Sequence, residues 1–384
     1  LLNGLMKTSR NLNLIAGGTW HLPSTSNFFS DFLDSSRKKV ICSIPNYNYK
    51  KNNFKQILIP KYFQIIEKVF KVKFNKRLTR IDDAQFTYLA SKFIKNGDLV
   101  WGLQGFAYNT ILKNKNGLNI VDRACPHMFK QEQIKKNECK KLGIKYEKKP
   151  DWLIKKIIFE YDKSDFIAVP SEMTKKSFLE YGYNANKIIK IPILGNLRKI
   201  QPIKKKVEKK ITFGCLGGDL TRKGIYYVIK AWLKTKPHNA ELVIKASSEQ
   251  INKSSELKKI IKDLRNVRFV NYFPDISDFF NNIDVFIFAS SDDGFGMALS
   301  DAMNFKKFSI VSNNVGASEY IVEGITGYKY DYNDIEHMCN IISDICENPN
   351  ILENVDTGSY FKLLNEEFQK ANPFIEKIKN FVNG

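Results

Sequence analysis

Short apolar runs alternate with longer segments of helical periodicity along most of the chain. The runs are rich in Ile, Val, Leu and Phe, which is typical of strands buried on both faces of a parallel sheet. The predicted strands span residues 12–16, 39–44, 56–59, 99–102, 118–122, 166–170 and 187–195, and then 211–216, 242–246, 267–270, 284–289 and 308–311. Strands that alternate with helices in both halves predict an α/β protein with two doubly wound parallel sheets facing across a cleft.

Two helix starts are also predicted from capping residues. Asp82 and Asp83 are expected to cap a helix that runs to Lys95, and Ser171 is expected to cap the helix after strand 166–170. The run 308–311 is predicted to be the last clear strand.

Length and charge together predict two domains. A chain of 384 residues exceeds the size at which one core usually suffices. Residues 1–210 carry 42 Lys and Arg against 17 Asp and Glu, a net charge of +25, whereas residues 211–384 carry 19 against 23, a net charge of −4. A basic half favours an anionic partner, either a membrane surface or a phosphate-bearing acceptor. The alternative is compositional drift, although drift alone would have made both halves basic.

Cysteine usage and hydropathy indicate the compartment. The six Cys residues show no paired C-x-x-C spacing and form no metal pattern with the four His residues, so reduced thiols are expected. No apolar run approaches the roughly 18 residues that a membrane-spanning helix needs, and the N-terminus lacks a signal-peptide core. We expect a cytoplasmic protein, either soluble or peripheral on the cytoplasmic face of a membrane.

The stretch from residue 284 to residue 301 carries the strongest chemical signal. A buried strand is followed by Asp293-Gly294-Phe295-Gly296 and then by a helix pattern that contains Asp301. Because Asp293 and Asp301 lie eight residues apart around a helix start, both carboxylates can face a ligand seated at the helix N-terminus.

A second turn carries cations. The strand 211–216 runs into a glycine-rich turn that contains Arg222 and Lys223 and ends at a helix start. Backbone N–H groups and these two side chains form an anion site of the kind that a diphosphate needs.

Both segments resemble the family 4 retaining glycosyltransferases of the GT-B fold. In that family two Glu residues flank seven others, and the first precedes Gly-Phe-Gly; here both positions are Asp. The downstream segment 316–327 is similar to the one that closes the family's nucleotide-sugar site. An Arg usual in the family, five residues before Lys223, is replaced by Gly218, so Arg222 could substitute for it or the phosphate contact could be weaker.

The resemblance implies a retaining, metal-independent transfer from a nucleoside-diphosphate sugar, with no cofactor beyond that donor. Asp293 would hold hydroxyls of the donor sugar, Asp301 would hold the ribose hydroxyls, and Lys223 would neutralise the leaving diphosphate. Amides of Gly294, Phe295 and Gly296 would contribute to donor binding. The implied domains are an acceptor-binding domain over 1–198, a nucleotide-sugar-binding domain over 199–370 and a helix over 371–384 that crosses back to the first domain.

Further candidates follow other predicted strands. Gly17 and Gly18 would lie beside the donor phosphates, with a plain tight turn as the alternative. Phe273 lies in a loop similar to the one that cups the nucleobase. His127 would contact the donor sugar as a third catalytic residue, with a helix-capping or surface His as the alternative.

Arg123 would suit a phosphate or a carboxylate of the acceptor, although an Arg in a loop is more often solvated.

Other functions are disfavoured or left open. No G-x-G-x-x-G follows a strand, which disfavours a dehydrogenase, and no RNP, KH or zinc pattern supports nucleic-acid binding. The expected partners are a nucleotide sugar, a glycan or lipid-linked acceptor and an anionic membrane surface, with no nucleic acid. A catalytically inactive relative that binds a sugar nucleotide or a glycan stays open, because both family Glu positions are Asp.

Overall fold

The computed structural model describes residues 10–16, 38–42, 55–59, 61, 76–194, 210–271 and 275–383. These residues form two parallel sheets, which confirms the predicted fold class. The first sheet has the strand order β3-β2-β1-β4-β5-β6-β7. Its strands are β1 (Leu12–Ala16), β2 (Lys38–Cys42), β3 (Lys55–Leu58), β4 (Leu99–Leu103), β5 (Leu118–Asp122), β6 (Phe166–Val169) and β7 (Ile188–Lys190).

The second sheet has the strand order β10-β9-β8-β11-β12-β13. Its strands are β8 (Ile211–Leu216), β9 (Ala240–Lys245), β10 (Val267–Val270), β11 (Val285–Phe288), β12 (Phe308–Ser312) and β13 (Gly327–Tyr330). One further strand follows the last clear strand of the prediction, since β13 pairs with β12 in parallel. Gly327 and Lys329 interrupt the apolar pattern of this edge strand, so periodicity alone does not reveal it.

Helices pack on both faces of the sheets. In the first half they are α1 (Lys76–Lys92), α2 (Tyr108–Lys113), α3 (Met128–Leu142), α4 (Asp151–Lys163) and α5 (Glu172–Leu179). In the second half they are α6 (Ile225–Thr235), α7 (Ser248–Ile251), α8 (Ser255–Ile260), α9 (Ile276–Asn281), α10 (Met297–Asn304), α11 (Ile335–Glu347), α12 (Thr357–Gln369) and α13 (Asn372–Asn383). Short 3₁₀ turns span Ala185–Lys187, Ile261–Asp263, Gly316–Tyr320 and Pro349–Leu352. Among the described helices, none is long and apolar enough to cross a membrane.

The two capping predictions have opposite outcomes. The Ser171 side chain accepts a hydrogen bond from the Thr174 amide and caps α5, as predicted. Asp82 does not begin a helix: α1 already starts at Lys76, and Asp82 is buried within it. The acidic pair is followed by a helical pattern, but the helix extends further towards the N-terminus than the acidic signal indicates.

The last helix belongs to the core of the first sheet. Apolar side chains of α13, among them Phe374, Ile378 and Val382, pack against Leu14 and Trp101 of β1 and β4. Each such burial contributes about 1.5–3 kcal/mol relative to exposure. The end of the chain therefore ties the second half to the first.

Strand order reverses between β8 and β11 in the second sheet. β9 and β10 follow β8 on one side, whereas β11, β12 and β13 lie on the other. The register pairs Ile287 of β11 with Cys215 of β8, so the turns at their carboxyl ends lie side by side. Such a reversal opens a crevice in which α/β sheets bind ligands.

Candidate active site

Two adjacent turns at this reversal form the centre of the site. One turn joins β8 to α6, and the other joins β11 to α10. Gly224 has a φ of +66°, and a Cβ there would lie 1.8 Å from the Ala289 carbonyl oxygen; Gly296 has a φ of +96°, and a Cβ there would lie 2.4 Å from the Val315 side chain. Only glycine adopts both backbones without strain or displacement, so the two turns pack directly on each other and on their neighbours.

Lys223 and Asp293 form an ion pair between the two turns. The Lys223 Nζ donates to Asp293 Oδ2 at 2.7 Å, and the two side chains are 24% and 18% exposed. The ammonium also lies 4.8 Å from the centre of the Phe288 ring. The structure therefore joins Lys223 and Asp293, two of the residues predicted to contact the donor, by a hydrogen bond.

Arg222 and Asp292 form a second pair, in which the Asp292 side chain is 1% exposed and the Arg222 side chain is 30% exposed. Arg222 donates through Nε to the Asp292 Oδ1 at 3.1 Å and through Nη2 to the Asp292 carbonyl at 3.0 Å, and its Nη2 also lies 3.0 Å from Oδ1 in an ion pair. Burial raises the pKa of the Asp292 carboxyl, although the Arg222 charge lowers it. Burial lowers the pKa of the Arg222 guanidinium, but the negative charge of Asp292 beside it raises that pKa overall. Arg222 thus connects the β8–α6 turn to the β11–α10 turn. Its contact with a phosphate stays a prediction.

The first domain closes against Gly294. The Gly294 carbonyl accepts hydrogen bonds from the Ser171 Oγ at 2.6 Å and the Thr174 Oγ1 at 3.3 Å. A Cβ on Gly294 would lie 2.0 Å from the Ala124 carbonyl oxygen, and one on Gly316 would lie 2.0 Å from the Gly294 carbonyl oxygen. Backbone from both domains is therefore in contact at the predicted donor-binding segment.

An ion cluster joins the domains a second time. The Lys190 Nζ at the end of β7 lies 2.7 Å from Glu367 and 3.5 Å from Glu319, which are carboxylates of the second half. Burial raises the pKa of Glu367, but hydrogen bonds from Lys190 and Lys370 lower it overall. No local sequence pattern predicts this cluster, since its members are distant in the chain.

His127 follows β5 but points into the first domain. Its Nδ1 accepts from the Phe129 amide at 3.4 Å and caps α3. The ring stacks on Tyr181 with centroids 4.3 Å apart, and further aromatic rings enclose it, those of Phe129, Tyr161, Phe178 and Tyr183. Burial and the charge of Arg123 lower the pKa of His127 to about 4. The helix-capping alternative describes this geometry, and a catalytic role stays a prediction.

Arg123 is buried and bonded within its own loop. Its Nε donates to the Pro126 carbonyl at 2.9 Å, and its Nη2 donates to the Gln131 Oε1 at 2.9 Å. The guanidinium shapes the loop that contacts Gly294, whereas the sequence interpretation had it face a phosphate or a carboxylate.

The remaining candidates divide into three groups. Phe295 is buried in the core of the second domain, so a donor contact there would use its backbone. Asp301 lies partly exposed in the second turn of α10. Gly17, Gly18 and Phe273 lie outside the described residues.

A cavity of 810 Å³ lies between the domains beside Gly316. Its walls come from α3, α5 and the segment after β12, and they carry Met173, Lys176, Ser177 and Asn314. Its lining mixes hydroxyl, amide and charged groups with a thioether.

About half of the chain is similar in sequence to known glycosyltransferases. Residues 197–360 match the family model described as "Glycosyl transferases group 1". The capsular polysaccharide biosynthesis glycosyltransferase CapM of Staphylococcus aureus is 25% identical over 222 residues, which cover 53% of this chain and 57% of that relative. The match thus spans a little over half of each protein.

Solved structures cover nearly the whole chain. HepE of Anabaena, in complex with UDP, has a TM-score of 0.66 and 13% identity, and the match covers 96% of this chain and 100% of that chain. TarM of Staphylococcus aureus has a TM-score of 0.63 and 13% identity, with 98% and 99% covered. These likenesses show the GT-B fold.

Gly294→Ala is expected to separate the domains at the site. The added Cβ meets backbone of the first domain, so we expect a loss of about 1–3 kcal/mol of stability, as for other overpacked sites. Thermal melting should show the loss, and small-angle scattering should show a larger radius of gyration. Gly218→Ala is the matched control, because a Cβ there meets nothing within 4 Å. Equal melting temperatures for the two variants would show that the domain contact does not form in solution.

His127→Gln is expected to reduce the acid sensitivity of folding. The unfolded chain takes up the His127 proton near pH 6.5, whereas the folded chain takes it up near pH 4. The buried neutral ring therefore loses up to about 3 kcal/mol of stability as the pH falls from 6.5 to 4. Urea unfolding of both proteins across this range gives the difference, in which the other His residues cancel. If the free energy of unfolding changed with pH by the same amount in wild type and His127→Gln, His127 would not be a buried, neutral side chain.

Proposed function

We propose that this chain transfers a sugar from a nucleoside-diphosphate sugar to an acceptor, with retention of anomeric configuration and without a metal. The observation that carries the proposal is the Lys223 and Asp293 ion pair at the strand-order reversal of the second sheet. The match of residues 197–360 to a glycosyltransferase family model supports it. HepE was solved with UDP and with UDP-glucose, which supports a uridine nucleotide as the first donor to test.

The leaving diphosphate sets the chemistry that the site must supply. As the bond from the anomeric carbon to the phosphate oxygen breaks, negative charge grows on the diphosphate. The Lys223 ammonium, the amides of the turn at Gly294 and the N-terminus of α10 are preorganised positive groups that stabilise this charge. Arg222, which Asp292 holds in place, would supply guanidinium N–H donors from the adjacent turn.

The two carboxylates would act as hydroxyl acceptors. Asp293 would exchange Lys223 for hydroxyls of the donor sugar, and Asp301 would accept from the ribose. The acceptor oxygen would attack the anomeric carbon from the leaving-group face, and its proton would pass to the departing phosphate oxygen. No dedicated base is required, and the His127 ring is enclosed by aromatic side chains of the first domain.

The acceptor would enter through the cavity between the domains. Hydroxyl, amide, ammonium and carboxylate groups on its walls, the carboxylates being those of Glu172, Glu180, Glu319 and Glu323, suit a polyhydroxylated acceptor. The excess of cations in the first half would favour an acceptor that carries phosphate or sits on an anionic membrane.

Lys223→Ala is expected to lower the transfer rate by about 10²-fold or more, because the leaving group loses its nearest cation. Initial rates of UDP release in the presence of acceptor measure this. Lys234→Ala is the matched control, since Lys234 is an exposed lysine that pairs with Glu336. Activity of Lys223→Ala within a few-fold of wild type would remove Lys223 from the site.

The same assay has two further arms. Transfer that persists in EDTA supports a metal-independent reaction, whereas strict loss that a divalent ion restores contradicts it. A donor that raises the melting temperature by mass action but is neither hydrolysed nor transferred would favour the inactive binding protein.

Met173→Trp is expected to raise the KM for the acceptor by about fivefold or more, because the larger ring of this first-domain residue occupies the cavity and removes acceptor binding. The melting shift caused by the donor should stay unchanged. Leu179→Trp, on the exposed side of the same helix, serves as the control. An unchanged KM in Met173→Trp would place the acceptor elsewhere.

A further inference from the structure

The outer face of α1 carries apolar side chains where a surface helix is ordinarily polar. Ile81 and Tyr88 are 53% and 54% exposed. They lie seven residues apart, hence on one stripe of the helix, and Lys92 shares that stripe with its Nζ 4.6 Å from the Tyr88 ring centre. The opposite stripe, which includes Phe86 and Ala90, is buried on the sheet. The exposed stripe is therefore an additional apolar surface that the core does not use.

Helices α2 and α4 extend this surface. Leu112 on α2 is 43% exposed, and Trp152 in the first turn of α4 is 51% exposed, on the side opposite the buried Ile154 and Tyr161. We call Ile81, Tyr88, Leu112 and Trp152 the outer helical face.

The three helices form one packed layer. α2 contacts both α1 and α4. The Asn109 side-chain amide on α2 donates to the Thr87 hydroxyl on α1 at 2.9 Å. The Glu160 carboxylate of α4 accepts hydrogen bonds from the backbone N–H groups of Ala107 and Tyr108 at the start of α2. The outer helical face therefore sits on a fixed scaffold.

Exposed cations accompany the apolar residues. Exposed lysines on or beside these helices are Lys92, Lys95, Lys113, Lys115 and Lys155. Two nearby acids are already paired, Asp83 with the buried Lys61 at 2.6 Å and Asp151 with Lys148 at 2.7 Å. The layer belongs to the half of the chain with a net charge of +25.

We propose that the outer helical face docks on an anionic lipid surface. Aromatic and aliphatic side chains enter the boundary between headgroups and acyl chains, while lysines around them attract anionic headgroups. A polyanion in water would be attracted by the lysines but would leave Ile81, Tyr88 and Leu112 without a role. Docking uses neither Lys223 nor Asp293, so it stands or falls independently of sugar transfer.

Co-sedimentation of the full chain with vesicles tests this. Vesicles of phosphatidylcholine mixed with phosphatidylglycerol should bind the chain, and those of phosphatidylcholine alone should not. We expect Ile81→Ser/Tyr88→Ser to weaken binding by about tenfold and rising salt to weaken it further. The matched control is Ile325→Ser/Leu363→Ser, two exposed apolar residues of the second half, which should bind as wild type does. Melting temperatures establish that both variants fold.

A second readout does not depend on the double variant. Lipids brominated on their acyl chains should quench part of the wild-type tryptophan fluorescence in anionic vesicles, and the quenched part should disappear in Trp152→Phe. The proposal is overturned if anionic vesicles are not bound, if neutral vesicles are bound equally, or if Ile81→Ser/Tyr88→Ser binds as wild type does. It is also overturned if the face instead mediates a dimer, seen by sedimentation, that the double variant dissociates without any vesicle binding.

Discussion

The contact of the Gly294 carbonyl with Ser171 fixes where the two domains meet. The hydroxyl of Ser171 caps α5 and also donates to Gly294 at 2.6 Å, so one side chain sets both a helix start and the domain interface. The contact requires that residues 294 and 316 have no Cβ, because backbone of neighbouring segments fills that space. The predicted donor-binding turn is therefore held from both sides.

The two cation and carboxylate pairs beside this contact differ in what they can do. Asp292 is buried although Arg222 is 30% exposed, so removing Arg222 would leave a buried carboxylate without its cation, at a cost of up to about 3–5 kcal/mol. Pairs that water reaches are worth about 0–1 kcal/mol, and the partly exposed Lys223 and Asp293 lie nearer to that limit. The Arg222 and Asp292 pair therefore suits a structural contact that persists when a ligand binds. The Lys223 and Asp293 pair suits side chains that can leave each other to bind a ligand.

Much of the fold could be predicted from the sequence because its signals are local. Buried parallel strands are continuous apolar runs, and the turns that contain Gly224 and Gly296 follow two of them. The same local signals brought Lys223 and Asp293 to one place, since adjacent parallel strands end at the same edge. The edge strand β13 was missed because its polar residues and its glycine resemble a loop.

What the sequence could not predict depends on contacts between distant segments. A His after a strand has the same local signal whether its ring faces a cleft or an aromatic cluster, and the side chains that enclose His127 come from elements well beyond its own loop. The same holds for Arg222, whose partner Asp292 lies on the neighbouring turn, and for Lys190 between two carboxylates of the other domain. These contacts can be seen only when the distant segments of the chain are placed together in the fold.

Hydrogen exchange of the full chain with and without a UDP-sugar tests the central claim, that the two turns at the strand-order reversal form the donor site. The account predicts slower amide exchange in peptides covering 217–224 and 290–301, with little change in the outer helical face. Protection confined to other segments, under conditions where the donor demonstrably binds, would contradict it.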